Sequence, residues 1–393
     1  MIIIIIFLFF SQICASWNIS IYMEASYSLH DAALKNLNDL ASSGPNEEIN
    51  FLVQLHAQGN YAHHLYNQKN KIIQIQKVEL TEKTDQNIID FFKWSANYKS
   101  AEKYAIILWD HGFGILNPKK NNDKWELEKQ ILECRRDHKG MLIDNYHNNV
   151  MNVKQLSNAL KEISIFLNKK LDILGMDLCM GSMMEIVFEI SEYAQCYVGS
   201  QNCELKDGWD YAKIAQDLKF DTKPEDFAKI IVDAYKKYYE INASGVFTIS
   251  ALKLEFINMV KKNLDRVCQE IIFLWNQEKI LIEPLIESAR NESLGFCLHQ
   301  DYIDLINFLE RMKFKFQNSF KDQFLKIINL IDATISDLQQ FVIVNVAGKK
   351  IIQANGISIY APSKYFDNSY LDCNFAKESL WISFLNLLNS HKI

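Results

Sequence analysis

Residues 171–185 read LDILGMDLCMGSMME, and an apolar run, broken only by Asp172 near its start, stops at Asp177. A mostly apolar run of this length is typical of a strand buried on both faces of a parallel sheet. Cys179 follows two residues after the carboxylate, where the strand ends. A free cysteine can be a small core hydrophobe, whereas a cysteine at a strand end is also placed for chemistry. Both interpretations are open at this point.

A second run of the same kind, YAIILWD at 104–110, is followed at once by His111 and Gly112. Sites of open α/β sheets form at the carboxyl ends of the strands, so we expect His111 and Cys179 to meet there. A thiolate beside a histidine is a nucleophile whose leaving group can be protonated. We expect Cys179 to begin a helix whose dipole favours the thiolate. The N–H groups of Gly112 and Cys179 form a candidate oxyanion hole, because Gly112 has no Cβ to hinder close approach.

Strand and helix patterns alternate through the first two-thirds of the chain, which favours an α/β fold: a mostly parallel β-sheet flanked by helices on both faces. Further strands are predicted at 17–26, 49–57, 71–78 and 195–202. Helices are predicted at 28–41, 82–98, 153–168 and from Cys179 to about Tyr193. The C-terminal extension is mainly helical, with helices at 224–240, 253–288, 300–340 and 376–390 and late strands at 341–348 and 356–363.

The amino-acid composition and the net charge restrict the classes of partner that we expect for this protein. The 393 residues are 49% hydrophobic and 23% charged, as in a globular protein with a proper core. The net charge is −6, and no run of Lys and Arg is long enough for a nucleic-acid face, so no nucleic-acid partner is expected. We place a soft domain boundary near residue 240.

The N-terminal run IIIIIFLFF at 2–10 is too short to span a bilayer. Its length suits the apolar core of a secretory signal, and we predict a signal peptide at 1–16 with Ala15 or Ser16 at the cleavage edge, although the usual basic segment is missing. The alternative is a buried N-terminal strand. No other stretch suits a stable membrane span. We therefore expect a secreted or periplasmic protein, or a cytoplasmic one if residues 1–16 are not a signal.

Eight cysteines occur without a CxxC pair, which argues against a zinc site or a thioredoxin-like motif. The adjacent His63 and His64 have no evident carboxylate partner, and we expect both at the surface. No metal or other cofactor is expected. Calcium dependence stays open, although no acidic calcium-binding loop of the DxDxDG type is present.

Several motifs, in order, resemble the clostripain-like family of cysteine peptidases. ILWDHGFG resembles the family's histidine motif, LDILGMDLCMGSMMEI its cysteine motif, and YVGSQNCELKDGWDYAKI a later segment in which a Ser leads to Gly-Trp-x-Tyr. WNISIYMEAS and GISIYAPS resemble its first strand and a late strand. The resemblance implies a caspase-like fold, with a peptidase domain at 17–240 and a C-terminal region at 241–393. It also implies amide hydrolysis by His111 and Cys179 through a thioester, after Arg or Lys in protein or peptide substrates.

Cleavage after a basic residue needs an acid in the pocket for that residue (P1), because a buried guanidinium must find a partner. Asp177 matches the Asp of the family's cysteine motif and is our first candidate. Asp207 is the second, with Glu204 and Asp210 as rivals, and Ser200 opens the same substrate-binding segment. The family commonly has Ser-Glu-Glu where this chain has Ser-Gln-Asn at 200–202, which leaves the P1 preference open.

Members of the family cut themselves between the histidine and cysteine motifs. The corresponding segment here, 117–140, offers the autoprocessing candidates Arg135, Arg136 and Lys139. An uncut surface loop is the alternative. Two other functions also remain: a catalytically inactive binding protein on the same scaffold, and a caspase-like hydrolase with a different P1 preference.

Overall fold

The computed structural model describes residues 15–43, 48–68, 70–117, 140–296, 300–319, 322–363 and 365–389. The autoprocessing candidates Arg135, Arg136 and Lys139 and residues 1–14 of the predicted signal lie outside these ranges. The strands are β1 (Ala15–Glu24), β2 (Ile49–Gln58), β3 (Tyr61–Gln68), β4 (Lys71–Glu79), β5 (Ala101–Trp109), β6 (Met141–Asp144), β7 (Asn149–Met151), β8 (Leu171–Asp177), β9 (Ala194–Gly199), β10 (Thr248–Lys253), β11 (Gly295–Phe296), β12 (Tyr302–Asp304), β13 (Val342–Ala347) and β14 (Ser358–Tyr360).

Helices connect these strands along the chain and pack against the sheets that they form. They are α1 (His30–Ser42), α2 (Thr84–Tyr98), α3 (Val153–Leu167), α4 (Met184–Ile190), α5 (Tyr211–Asp217), α6 (Pro224–Asn242), α7 (Ile257–Asn291), α8 (Leu305–Asn318), α9 (Leu325–Phe341), α10 (Asn374–Glu378) and α11 (Trp381–Asn389). No helix in the described ranges combines the length and apolar character that a membrane crossing requires.

Nine of the described strands form one sheet in the order β13-β10-β9-β8-β5-β1-β2-β3-β4. The five strands from β9 to β2 run parallel, and the two strands at each edge add antiparallel pairs. All seven residues of β8 are buried, because alternate side chains enter the two cores that cover the sheet. Leu174 and Met176 pack into one core and Ile173 into the other. The predicted α/β fold is confirmed.

The C-terminal part of the chain contributes β10 and β13 to the main sheet, while α7, α8 and α9 pack on one another. The single helix expected at 300–340 is wrong, because β12, α8 and α9 occupy that range. Asp304 caps α8 by accepting the Asn307 N–H at 2.8 Å. The rings of Phe316 and Phe324, with centroids 5.0 Å apart, pack between the ends of α8 and α9.

The adjacent histidines lie on β3, a strand that the sequence pattern did not single out. His63 is half-exposed, but the expectation of a surface position is wrong for His64, which is 4% exposed. Its Nε2 lies 2.9 Å from the Gln54 side-chain oxygen, and its ring lies 4.2 Å from that of Trp94. Burial lowers the pKa of His64 to about 4. These neighbours come from β2 and α2, and no local pattern around residue 64 reveals them.

Candidate active site

The carboxyl ends of β5 and β8 bring the two sequence motifs together. The strands are parallel neighbours in which Trp109 pairs with Asp177, so His111 and Cys179 each follow two residues beyond a paired position. The Asp110 N–H donates to the Asp177 carbonyl at 3.3 Å and extends the pairing past the strand ends. The two segments therefore leave the sheet side by side.

Gly112 packs directly on the backbone of the cysteine segment. A Cβ at this position would lie 2.3 Å from the Cys179 carbonyl oxygen and 2.5 Å from the Leu178 side chain, which no ordinary contact permits. Gly112 also forms an antiparallel β-bridge with Met141 of β6. On either side of this bridge, the Phe113 N–H donates to the Gly140 carbonyl and the Leu142 N–H donates to the His111 carbonyl. In such a non-hydrogen-bonded pair the N–H of Gly112 points away from β6.

Cys179 lies in a turn and does not begin a helix, contrary to the sequence expectation, since α4 starts only at Met184. A helix dipole acts within the first turn, so it contributes little at Cys179. The loop after β9 holds the sulfur: the Glu204 N–H donates to Sγ at 3.2 Å. Met180 adopts φ +54°, a left-handed conformation that is uncommon outside glycine, and its N–H donates to the Asn202 carbonyl at 3.0 Å. The sulfur also lies 3.8 Å from the Glu204 carbonyl oxygen, so the backbone of this loop contacts it on both its N–H and its C=O group.

Asp177 and Glu204 form an acid pair next to this sulfur. The Asp177 Oδ2 accepts the Trp209 N–H at 3.0 Å and the Tyr211 hydroxyl at 2.8 Å. Burial raises the pKa of Asp177 and is only partly opposed by a hydrogen bond from Glu204. Burial, and then the charge of Asp177, raise the pKa of Glu204 well above its usual range. Because two buried carboxyls in contact tend to share a proton, we expect the pair to carry a single negative charge.

The other acids predicted for the P1 pocket are engaged elsewhere. Asp207 is half-exposed, lies 3.4 Å from the Lys35 ammonium and accepts the Tyr238 hydroxyl. The hydrogen bond from Tyr238 and the charge of Lys35 hold the pKa of Asp207 below its usual value. Asp210 caps α5 by accepting the Lys213 N–H at 2.9 Å.

Ser200 is fully buried, with its hydroxyl 2.8 Å from that of Thr248. Glu204, which the sequence ranks behind Asp207, is the acid that the fold brings to Cys179 and Asp177. The Glu204 N–H donates to the sulfur from an irregular loop, so no periodic pattern in the sequence predicts this contact.

Glu24, His56 and Asp144 are buried near the histidine motif and place potential metal-ligand atoms within 4.8 Å of one another. His56 Nδ1 lies 2.8 Å from Glu24, and its Nε2 lies 2.8 Å from the Gly59 carbonyl. Asp144 lies 2.6 Å from the ring of His147. Because both nitrogens of His56 already have hydrogen-bond partners, we interpret His56 and Glu24 as a buried ion pair.

This ion pair makes stability depend on pH. Burial lowers the pKa of His56, but the hydrogen bond and charge of Glu24 outweigh it and raise that pKa to about 9. Burial raises the pKa of Glu24 to about 7. Each group keeps its proton to a higher pH in the folded chain than in the unfolded one. The pair therefore loses stabilising free energy as the pH rises, Glu24 up to about pH 7 and His56 between about pH 6.5 and 9.

Urea unfolding at pH 6.5 and at pH 9 measures this loss. We expect the wild type to lose roughly 2–3 kcal/mol more than the paired variant His56→Gln/Glu24→Gln over this interval. His63→Gln, which removes a half-exposed histidine of the same sheet, serves as the control and should follow the wild type. Equal losses in the wild type and the paired variant would contradict the assignment.

Comparison with known proteins shows the family to which this chain belongs and the fold that it shares. The chain matches the family model Peptidase_C11, the clostripain family, over residues 21–387. No curated protein matches it.

Three solved structures share the fold. Two are of a secreted C11 cysteine protease from Bacteroides thetaiotaomicron. One holds an irreversible peptide inhibitor (16% identity, 94% of this chain and 99% of that chain covered, TM-score 0.66). The other is called iotapain (15% identity, 95% and 99% covered, TM-score 0.67). The third is an inactive zymogen C11 protease from Parabacteroides distasonis (17% identity, 93% and 98% covered, TM-score 0.63). The match over nearly the whole chain shows that this protein belongs to the clostripain family of cysteine proteases.

Proposed function

We propose that this cysteine protease is an endopeptidase that cuts after Arg or Lys, with Cys179 as nucleophile and His111 as general acid and base. The observation that carries the proposal is the packing of Gly112 on the Cys179 backbone, which ties the histidine segment to the cysteine turn. A dyad needs its two groups held in one geometry before the substrate arrives. The close contact between the two segments supplies that constraint.

Each step of the proposed reaction uses protein groups and water. The Cys179 thiolate attacks the scissile carbonyl carbon, and the N–H groups of Gly112 and Cys179 receive the negative oxygen. His111 gives its proton to the leaving amine as the C–N bond breaks, which leaves a thioester on Cys179. A water molecule then gives a proton to His111 and attacks the thioester, and the thiolate leaves. We propose no cofactor, and activity retained in a chelator would support this.

The acid pair supplies the proposed basic specificity. A guanidinium or ammonium at P1 needs a buried negative charge, and Asp177 with Glu204 offers one beside the sulfur. Asp207 remains a second candidate on the same loop. Because Lys35 already meets the charge of Asp207 at 3.4 Å, we expect it to contribute less. Ser200 supports the loop from inside, through its hydroxyl contact with Thr248.

Gly112→Ala tests the contact between the two segments. The new methyl group must push the histidine segment away from the Cys179 carbonyl, so we expect kcat to fall by at least about 100-fold. The thermal unfolding midpoint should fall by only a few degrees because of the added steric strain. Iodoacetamide should still alkylate Cys179, although more slowly because the histidine is displaced, which would show that the fold and the thiol are present. Unchanged turnover would contradict the proposed positioning.

The function itself is tested with peptides that carry Arg, Lys, Asp or Asn at P1. We expect turnover of the Arg and Lys peptides alone. Turnover of the Asp or Asn peptides would still support a hydrolase but would refute the acid pair as the P1 pocket. No turnover of any peptide, even after deliberate nicking between Arg135 and Lys139, would favour the inactive binding protein.

We also propose export and self-processing. One solved neighbour is described as secreted and another as an inactive zymogen, which supports removal of residues 1–16 and cleavage at Arg135, Arg136 or Lys139. N-terminal sequencing of the exported protein, and of fragments formed during incubation, tests both. An active enzyme whose chain stays intact would refute self-processing.

A further inference from the structure

The strand order arranges the site along one edge of the sheet. The loop after β9 carries Glu204, and β8 ends at Asp177 with Cys179 just beyond. The next strand, β5, leads to His111, and Ser28 follows β1, which is the neighbour of β5. Across this edge, the acid pair lies on the β9 side of the nucleophile and the histidine on the β2 side.

A cavity of about 650 Å³ opens on the β2 side. It lies between the segment after β1, the end of β2 and the turn between β6 and β7, and its lining includes Ser28, Asp31, Gly59 and Tyr146. The Ser28 hydroxyl lies 3.2 Å from the His111 Nε2, so the cavity adjoins the histidine. The chemistry described above leaves this cavity without a role.

We propose that this cavity binds the leaving-group side of the substrate, the residues P1′ to P3′ that follow the scissile bond. The inference rests on the proposed dyad. His111 must reach the leaving amine, so the departing peptide lies on the His111 side of Cys179, away from the acid pair. Neighbouring strands are about 4.8 Å apart, which places β2 about 10 Å from β5. An extended peptide covers that distance in about three residues.

The lining determines which side chains the cavity takes. The Asp31 carboxylate is 92% exposed, and the Nδ1 of His30 lies 3.6 Å from it. Both ring nitrogens of His56 at the inner wall already have partners, Glu24 and the Gly59 carbonyl. The Tyr146 ring is 57% exposed and offers a face to a cation. The cavity is therefore suited to basic or neutral polar side chains at P2′ and P3′ and disfavours acidic ones.

Two classes of substrate distinguish the effect of this subsite on kcat/KM from the effect of the dyad. The first is an acyl-Arg coumarin amide, which has no residues beyond P1′. The second is a pair of internally quenched peptides with Arg at P1 and either Arg or Glu at both P2′ and P3′. We expect kcat/KM for the Arg peptide to exceed that for the Glu peptide by about tenfold, as for two exposed charge contacts. The readout is each peptide's kcat/KM divided by that for the coumarin amide.

Asp31→Lys is expected to remove the preference or reverse it, and Tyr146→Ala to reduce it. Asp90→Lys, the same change at an exposed position on α2, should leave it as in the wild type. A preference that persists in both cavity variants, or that is absent from the wild type, would overturn the subsite while coumarin release still supports the dyad. Absence of coumarin release would refute the proposed function, and the subsite with it.

A second measurement uses aminolysis of the thioester, which is the reverse of the step that forms it. An amine can attack the thioester carbonyl, forming a C–N bond and breaking the C–S bond while His111 takes the amine proton. The acceptor then occupies the leaving-group subsite. Leu-Arg-Arg-amide should capture the acyl-enzyme more efficiently than Leu-Glu-Glu-amide, and Asp31→Lys should lose this difference. Equal capture by the wild type would overturn the proposal.

Discussion

Cys179→Ala is expected to lower kcat/KM for Arg peptides by at least about 10⁴-fold, because removal of a nucleophile leaves only binding and oxyanion stabilisation. The fold should persist. The side chain is half-buried, and the hydrogen bonds that the variant loses to the Glu204 N–H, at 3.2 Å, and to the Glu204 carbonyl, at 3.8 Å, are contacts with an irregular loop. Peptide turnover and a thermal unfolding scan on the same preparation separate the two effects.

Cys203→Ala is the matched control, because Cys203 is also half-buried, is in no disulfide and belongs to the same loop region. We expect it to keep turnover within about threefold of the wild type. His111→Ala should lose turnover nearly as fully as Cys179→Ala and should slow the alkylation of Cys179 at neutral pH, since the histidine assists the thiolate. Activity retained in Cys179→Ala, or lost only in Cys203→Ala, would reassign the nucleophile.

The double variant Asp177→Asn/Glu204→Gln is expected to lose turnover of Arg and Lys peptides by about 10³-fold. The two carboxyls hold one proton between them, so neutralising either one alone leaves one negative charge in the pocket. Each single variant should therefore cost about tenfold or less. Removing both acids leaves a buried P1 cation without a partner, a penalty of about 3–5 kcal/mol. The effects of the single variants should not add up to that of the double variant.

Asp207→Asn decides between the candidate acids. Because Lys35 and Tyr238 already engage Asp207, we expect a loss of less than about threefold. A larger loss in Asp207→Asn than in the double variant would make Asp207 the principal partner of P1. Steady-state kinetics on one Arg peptide and one neutral peptide, with all four variants, distinguishes loss of the pocket from general loss of activity.

The sequence alone predicted the five parallel strands at the centre of the sheet and the meeting of two motifs. The runs at 104–110 and 171–177 are apolar at nearly every position, which is the pattern of strands covered on both faces. That pattern is local, so it shows in the sequence. Because parallel strands end at the same edge of a sheet, the sequence predicts that His111 and Cys179 lie close together.

Only the tertiary structure decided which acid lies next to the sulfur, where the helix after Cys179 begins and which cavity adjoins His111. Glu204 and Asp207 lie on one irregular loop, where side-chain direction follows contacts with distant residues: Asp177 for Glu204, and Lys35 and Tyr238 for Asp207. His64 is buried for the same reason, by partners on other elements. Periodicity in a sequence reports local geometry, whereas these positions depend on contacts made only when the chain has folded.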